Sequence, residues 1–397
     1  MPKKVSEAAL PVVTISRRGA DRLRDGHVWV YRSDVVSADG IAPGALIGVR
    51  DERGKFLGTA LYSTASQIAV RLISHDPIED LDALIRQRIR DAIAYRARFV
   101  GQSDAYRLVF SEADFLPGLI VDRYNDVLAM QILTQAMDAD RVRATAVSEL
   151  AEQIKPAGIV ERVDPRIREL EQLSPRKAGL LLGEKSSTIF SMNDVRFHYD
   201  SAEGQKTGAF LDQRENYAAA ARHARGEALD VFCYHGGFAL HLATACSRVT
   251  GVDSSRPALE IAERNASLNG WEIEWLEANA FDLLRDYASA GRQYDVIVLD
   301  PPAFAKGKRN LDTALRGYKE LNLRALKMLR PGGILVSCSC SYHVSPTDFH
   351  EMLAGSARDV HRELRIVENR AQSKDHAILV NVPETAYLKC VISIVSY

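Results

Sequence analysis

Ala228-Leu229-Asp230-Val231-Phe232-Cys233-Tyr234-His235-Gly236-Gly237-Phe238 decides the architecture of the C-terminal half. A short apolar run ends at paired glycines, and a helical pattern that includes Leu240, Leu242 and Ala243 follows. Glycines at such a junction let the backbone approach a ligand at the carboxyl edge of a sheet. Further apolar runs come at 248–253, 294–300 and 333–338, with helical stretches between them. Near-continuous apolar strands alternating with helices predict a parallel sheet covered on both faces.

The second of these strands ends in Asp253, sixteen residues after Gly237. A carboxylate there can accept hydrogen bonds from both ribose hydroxyls of a nucleoside cofactor. Ser254 or Ser255 then caps a helix, and Pro257 suits its first turn. The full G-x-G-x-x-G fingerprint is absent, which speaks against a dinucleotide. With no phosphate cradle in view, S-adenosylmethionine fits better than NAD. The third strand runs into Asp300-Pro301-Pro302-Ala303-Phe304. Asp300 is expected at the sheet edge beside the cofactor. The two prolines lack backbone donors and form a stiff wall, and Phe304 offers a ring on which a planar base can stack.

Working toward the N-terminus, the pattern changes. Residues 12–15, 44–50, 56–62 and 68–73 read as short strands joined by turns such as Asp51-Glu52-Arg53-Gly54, with little helix, and suggest a small barrel. Asp80 caps a helix in which Leu81, Leu84, Ile85, Ile89, Ala92 and Ile93 recur at helical spacing. A hairpin over 118–133, a helix near 138–154 and a strand at 158–161 make an α+β middle segment. The expected division is therefore a β-barrel unit at 1–75, an α+β unit at 76–200 and an α/β unit at 201–397. No internal repeat or low-complexity tract interrupts it.

Composition bounds the function classes. Hydrophobic residues are 46% and charged residues 26%, enough for a large core and against general disorder. Lys and Arg (51) balance Asp and Glu (52), which argues against coating nucleic acid by bulk charge. Residues 1–75 carry a net +4, so a polyanion, if bound, is expected there. No apolar run reaches eighteen residues, and Ser6 and Glu7 break any secretory core. Five cysteines, at 233, 246, 338, 340 and 390, suit neither a disulfide framework nor a C-x-x-C site, so reduced thiols in the cytoplasm are expected. No metal site is expected. Cys338 and Cys340 close the fourth strand; residues two apart in an extended segment face one side, so both can point toward one pocket. Packing of a strand end by two small apolar side chains explains them equally well.

Several segments together resemble a known family. They are Lys206-Thr207-Gly208-Ala209-Phe210-Leu211-Asp212-Gln213-Arg214-Glu215-Asn216, Phe232 to Phe238, Asp300 to Lys306, and Ser337-Cys338-Ser339-Cys340-Ser341. The last 190 residues resemble class I S-adenosylmethionine-dependent methyltransferases. The whole chain is similar to the bacterial 23S ribosomal RNA large-subunit methyltransferase I family, which makes 5-methylcytosine. Gly26-His27-Val28-Trp29-Val30-Tyr31 resembles the start of that family's PUA domain, an RNA-binding barrel. Segments 110–114 and 116–124 resemble its middle domain. Two positions depart from the pattern: His235 stands where Thr is usual, and Asn279 where an adenine-binding aspartate is common.

The resemblance implies a Rossmann-like methyltransferase domain preceded by a PUA barrel and an α+β domain, with S-adenosylmethionine as cofactor. It implies Phe210, Asp212, Gln213, Arg214, Asn216, Asp230, Tyr234, Gly236, Gly237, Asp253, Ser254, Asn279, Ala280 and Asp300 as cofactor contacts. RNA contacts are expected at Arg17, Arg18, Arg22, Arg24, Trp29, Phe304 and Lys306. The implied partner is 23S or precursor large-subunit RNA, with a second copy of the chain as a further candidate and no membrane. Cytosine C5 is a poor nucleophile, so a thiolate must first add to C6, and a base later removes the C5 proton. Ser339-Cys340-Ser341 is similar to the Thr-Cys-Ser segment of other RNA cytosine-C5 methyltransferases, which makes Cys340 the expected nucleophile. Those enzymes often add a cysteine after Pro-Pro; Ala303 stands there, and a second thiol role would pass to Cys338. Asp300 would hold N3 and the amino group of the base. Two rivals stay open: methylation of an exocyclic amine, as on N2 of guanine, and a non-catalytic RNA-binding assembly factor.

Overall fold

Ser16 accepts a hydrogen bond from the Gly19 amide and starts a helix where the sequence suggests only a charged stretch. Five of the eight residues from Arg17 to Arg24 are charged, and only Gly19, Ala20 and Leu23 face inward, so the apolar pattern is too thin to read. In the computed structural model, which describes residues 10–202, 208–305 and 307–396, internal contacts divide the chain into two units.

Among the described residues, the first unit contains the chain up to Thr188, with those of Tyr199–Gly208 and Asp375–Thr385. Its strands begin with β1 (Val12–Ile15), and α1 (Arg17–Arg24) follows. Next come β2 (Trp29–Tyr31), β3 (Val35–Ser37), β4 (Leu46–Asp51), β5 (Phe56–Tyr62) and β6 (Ile68–Ser74). These six form one sheet in the order β2-β6-β5-β4-β1-β3, in which only β1 and β4 run parallel. Helix α2 (Leu81–Phe99) is capped by Asp80, as its sequence indicates. A five-stranded sheet is built from β7 (Ala105–Phe110), β8 (Leu119–Tyr124), β9 (Val127–Ile132), β10 (Gly158–Glu161) and β11 (Gly179–Gly183). Between β9 and β10 lie α3 (Gln135–Asp138) and α4 (Asp140–Ile154), and α5 (Pro165–Leu170) precedes β11. Leu61 and Ile73 from the first sheet pack in the same apolar core as Ile85, Ile89, Leu128 and Ile159. The core therefore runs through residue 75, where the sequence pattern changes. A hairpin of β12 (Ser187–Met192) and β13 (Val195–Asp200) follows, its turn made by Asn193 and Asp194 with positive φ, and its Ile189–His198 portion belongs to the second unit.

The second unit holds most of residues 209–396. In chain order it runs α6 (Arg214–His223), β14 (Glu227–Val231), α7 (Gly237–Ala243), β15 (Arg248–Asp253), α8 (Arg256–Asn269), β16 (Glu274–Glu277) and α9 (Ala280–Ser289). It continues with β17 (Tyr294–Leu299), α10 (Leu311–Met328), β18 (Leu329–Ser339), α11 (Pro346–Asp359), β19 (Glu363–Arg370) and β20 (Lys389–Ser396). The sheet order is β16-β15-β14-β17-β18-β20-β19. All pairs from β16 to β18 are parallel, as expected, and β20 runs antiparallel to both neighbours. The order reverses between β14 and β17, which opens a crevice at the carboxyl ends of the strands.

Candidate active site

The loop leaving β14 is tightly bent. Phe232 and Tyr234 adopt φ of 69° and 49°, a left-handed conformation that side chains with a Cβ rarely take, and Gly236 has φ 85°. What holds the bend is Asp253 at the end of β15. One of its carboxylate oxygens accepts from the Tyr234 amide and the other from the Ser255 amide, both at 2.9 Å. A Cβ on Gly237 would fall on the Tyr217 ring, and one on Gly236 would crowd Trp275. Each Asp253 oxygen keeps a second lone pair, so ribose hydroxyls can still donate to it. Of the two serines, Ser255 caps α8. Asp253→Ala removes the loop clamp and, if Asp253 holds the ribose, its acceptor as well. It should weaken S-adenosylmethionine binding by roughly 1.5–3 kcal/mol, read by calorimetry; unchanged affinity would remove Asp253 from the site.

Asp230, on β14, is fully buried. One oxygen accepts from the Ala239 amide at 2.8 Å, and the other has no partner among the described residues. Burial pushes its carboxyl up to about 8, the Ala239 hydrogen bond opposes the shift, and the charges of Asp300 and Asp253 add to it. An unsatisfied buried acceptor beside the crevice fits a ligand that brings a cationic or donor group. In the ligand-free protein, the folded chain keeps the Asp230 proton to about pH 8, whereas the unfolded chain releases it near 4. Stability should therefore fall as pH rises from about 4 to 8. Asp230→Asn should flatten that fall and raise the melting temperature at pH 8 while impairing cofactor binding. Parallel melting curves of the two proteins across that range would contradict the assignment.

Asp300 directly follows β17, its amide bonded to the Val231 carbonyl. Its carboxyl accepts from the Gln213 side chain at 3.0 Å. Burial, with the charge of Asp212 beside it, pushes it up to about 7, against the opposing Gln213 hydrogen bond. A chain of contacts supports Gln213: its oxygen accepts from Asn216, whose own oxygen accepts from Arg370. Asp212 accepts from the Tyr387 hydroxyl at 2.7 Å, and Arg214 is buried. The Phe210 ring lies 4.9 Å from that of Tyr234, and its carbonyl accepts from Tyr217. Phe210, Tyr217, Phe232, Tyr234, Gly237 and Asp300 line one cavity. His235 joins them; burial, reinforced by the Arg264 charge, lowers it to about 3, so it is neutral at physiological pH. Tyr217 lines the same cavity, though no motif in the sequence marks it. Asn279 is exposed and its carbonyl oxygen caps α9, bonded to the Phe281 and Asp282 amides. That acceptor is thus already engaged by backbone, and the amide nitrogen is the group left to a ligand. Ala280 begins α9 and is buried.

The two cysteines of β18 and its end differ in setting. Cys338 is fully buried, opposite Cys390 in the β18–β20 register, and burial with that neighbour pushes its thiol well up. Cys340, one residue past the strand, is half-buried. Beside it the Tyr318 hydroxyl meets the Ser341 hydroxyl at 2.9 Å, and the Ser341 oxygen accepts from the Ala305 amide. The Phe304 ring packs on Tyr318 and Phe281, at 4.8 and 6.1 Å between centroids, and is half-buried.

In the first unit, Arg17, Arg18, Arg22 and Arg24 all lie on α1, and each has an acidic neighbour: Asp21, Asp34, Asp34 and Asp51. The Arg17 and Arg18 side chains are nonetheless 88% and 68% exposed. Trp29 donates from its indole nitrogen to Glu112 and is half-buried against the core. Lys306 lies outside the described residues.

Residues 170–390 match the family model described as S-adenosylmethionine-dependent methyltransferase, and residues 13–75 match that of a PUA-like domain. Two solved structures share the fold over 96% of this chain and 99% of their own. One is SMU.776, a candidate methyltransferase complexed with SAH (TM-score 0.83, 18% identity); the other is a chain from Streptococcus mutans (0.82, 17%). A parallel sheet with its crevice at β14 and β17, preceded by a PUA-like unit, defines the class: an S-adenosylmethionine-dependent methyltransferase. Two relatives named ribosomal RNA large subunit methyltransferase I extend the match to almost the full length. That of Shewanella denitrificans is 40% identical over 91% of this chain and 94% of its own, and that of Klebsiella pneumoniae 34% identical over 97% and 98%. The chain belongs to the ribosomal RNA large subunit methyltransferase I family.

Proposed function

We propose that this protein methylates C5 of a cytosine in 23S ribosomal RNA, with Cys340 as the nucleophile. The observation that carries the reading is the pairing of β17 with β18. It brings the Asp300 carboxyl and the Cys338-Ser339-Cys340 segment to neighbouring positions on the same sheet edge as the Asp253 loop. Phe210, Tyr234, Asp230 and Asp253 would hold S-adenosylmethionine, which supplies a methyl group on a sulfonium sulfur. Asp300, protonated below about pH 7, donates to cytosine N3 while its other oxygen accepts from the amino group. Charge that develops on the ring when the Cys340 sulfur bonds to C6 is stabilised there. C5 then takes the methyl, loses its proton to a base, and the C6–S bond breaks to return the thiolate. The base must leave its helix, or come from a single strand, to reach this edge.

Exocyclic amine methylation is the rival, because Asp-Pro-Pro followed by an aromatic can grip an amine without a thiol. Nucleoside analysis of RNA methylated by the purified enzyme decides: 5-methylcytosine supports the reading, and N2-methylguanine replaces it. For RNA docking the exposed Arg17 and Arg18 are the proposed phosphate contacts. Replacing both by alanine should reduce the slope of log affinity against log salt by about one for each phosphate left without its arginine, with S-adenosylmethionine binding intact. An unchanged slope would exclude α1 from the interface.

A further inference from the structure

Lys389 opens β20, opposite Ser339 in the register with β18, and is only 8% exposed. Its ammonium donates to the carbonyl oxygen of Ser341 at 2.6 Å and to that of Tyr387 at 2.9 Å. Neither acceptor carries a charge, and among the described residues no carboxylate pairs with it. A buried cation without an acid partner is costly to maintain. Its Ser341 bond fixes it to the residue after Cys340, where a thiolate would favour the charged lysine against its burial. Burial lowers this lysine to about 8.

We propose that Lys389 is the positioning residue for Cys340: its charge favours the thiolate, and its bond to the Ser341 carbonyl fixes the turn that presents the sulfur. This rests on Cys340 being the nucleophile. A cation beside a thiol lowers the thiol's pKa, and thiolate is the form that adds to C6. The thiol proton leaves to solvent while Lys389 is charged; when Lys389 is neutral, its amine can take that proton and become the ammonium that stabilises the sulfur. The same pairing assists the last step, since the C6–S bond breaks more readily when its electron pair returns to a sulfur beside a cation. Among the described residues, the other ionisable groups at this strand end include Tyr318 on α10, Asp300 after β17, Cys338 on β18, Cys390 on β20, Tyr387 before β20, and Tyr342 and His343 after Ser341. Tyr318 and Cys338 are neutral at physiological pH, so neither offsets the field of Lys389 on Cys340.

The test is the pH dependence of Cys340 alkylation by iodoacetamide in the full-length protein, followed by peptide mass spectrometry. In the wild type, half-maximal reactivity should come about one pH unit or more below the ordinary thiol value of about 8.5. Lys389→Met should move that midpoint up by about one unit or more, and Lys389→Arg should restore most of the difference. In methylation assays Lys389→Met should lower kcat and shift the pH optimum upward with S-adenosylmethionine affinity unchanged. A wild-type midpoint at or above about 8.5 overturns the proposal without any variant, so a Lys389→Met protein that fails to fold does not shield it. An unmoved midpoint in folded Lys389→Met overturns it as well. Full methylation by Cys340→Ala would instead remove the nucleophile assignment, a separate outcome from the alkylation result.

Discussion

Cys340→Ala should abolish methylation, lowering kcat by at least roughly three orders of magnitude, while the protein stays folded and binds S-adenosylmethionine with wild-type affinity. In the proposed mechanism the thiolate forms a bond on bound substrate, so its loss should fall on the chemical step rather than on binding. Cys340 lies past the end of β18 and is half-buried, so the truncation removes little packing. Cys338 offers the contrast. It is fully buried against Cys390, and burial keeps its thiol protonated. Cys338→Ala should cost about 1–2 kcal/mol of stability and leave methylation within a few-fold of wild type. If Cys338 instead served to remove the C5 proton or release product, Cys338→Ala would accumulate a protein–RNA adduct that survives denaturing gels. Single-turnover kinetics and denaturing gels on both variants separate these outcomes.

Asp300→Asn should lower kcat by about a hundredfold or more. The amide keeps a donor for N3 and an acceptor for the amino group, so base binding should change little. What it lacks is a proton that can pass to the ring. The sign of the pH dependence follows from the carboxyl being pushed up to about 7 by burial and Asp212. If protonated Asp300 is the productive form, it is lost as pH rises through about 7, so the wild-type rate should fall on the alkaline side while thiolate formation should raise it from the acid side. Asp300→Asn should remove the alkaline decline and keep the acid limb. A variant that retains the decline would place the titrating group elsewhere, and one with wild-type kcat would remove Asp300 from catalysis.

Strands buried on both faces are legible because burial forces nearly every residue to be apolar: the apolar runs of β14, β15 and β17 match the observed strand limits within about a residue, while β18 begins four residues earlier than its run. Their order is not legible, because pairing is a tertiary choice. Asp253 and Asp300 can be placed at strand ends from sequence, and so can the glycines between β14 and α7. The raised carboxyl of Asp300 cannot: it depends on burial and on Asp212, which is distant in the chain. Lys389 is hidden for a similar reason. A single lysine before the apolar run Cys390–Ile394 reads as a solvated flank, and only the antiparallel β18–β20 pairing carries it to Ser341. Helix α1 leaves no readable pattern because its charged residues outnumber its apolar ones, and β19 leaves none because its charged alternation gives no buried run.

In the proposed reaction a sulfur of this chain bonds to cytosine C6. RNA carrying 5-fluorocytosine at the methylated position tests it, because fluorine cannot leave as a proton does and the adduct is trapped. With S-adenosylmethionine present, peptide mass spectrometry of the trapped species should find the nucleotide, already methylated, on Cys340. The adduct should be absent in Cys340→Ala and persist in Cys338→Ala. An adduct on Cys338 would move the nucleophile; active methylation of ordinary RNA with no adduct from the fluorinated substrate would contradict the C5 mechanism.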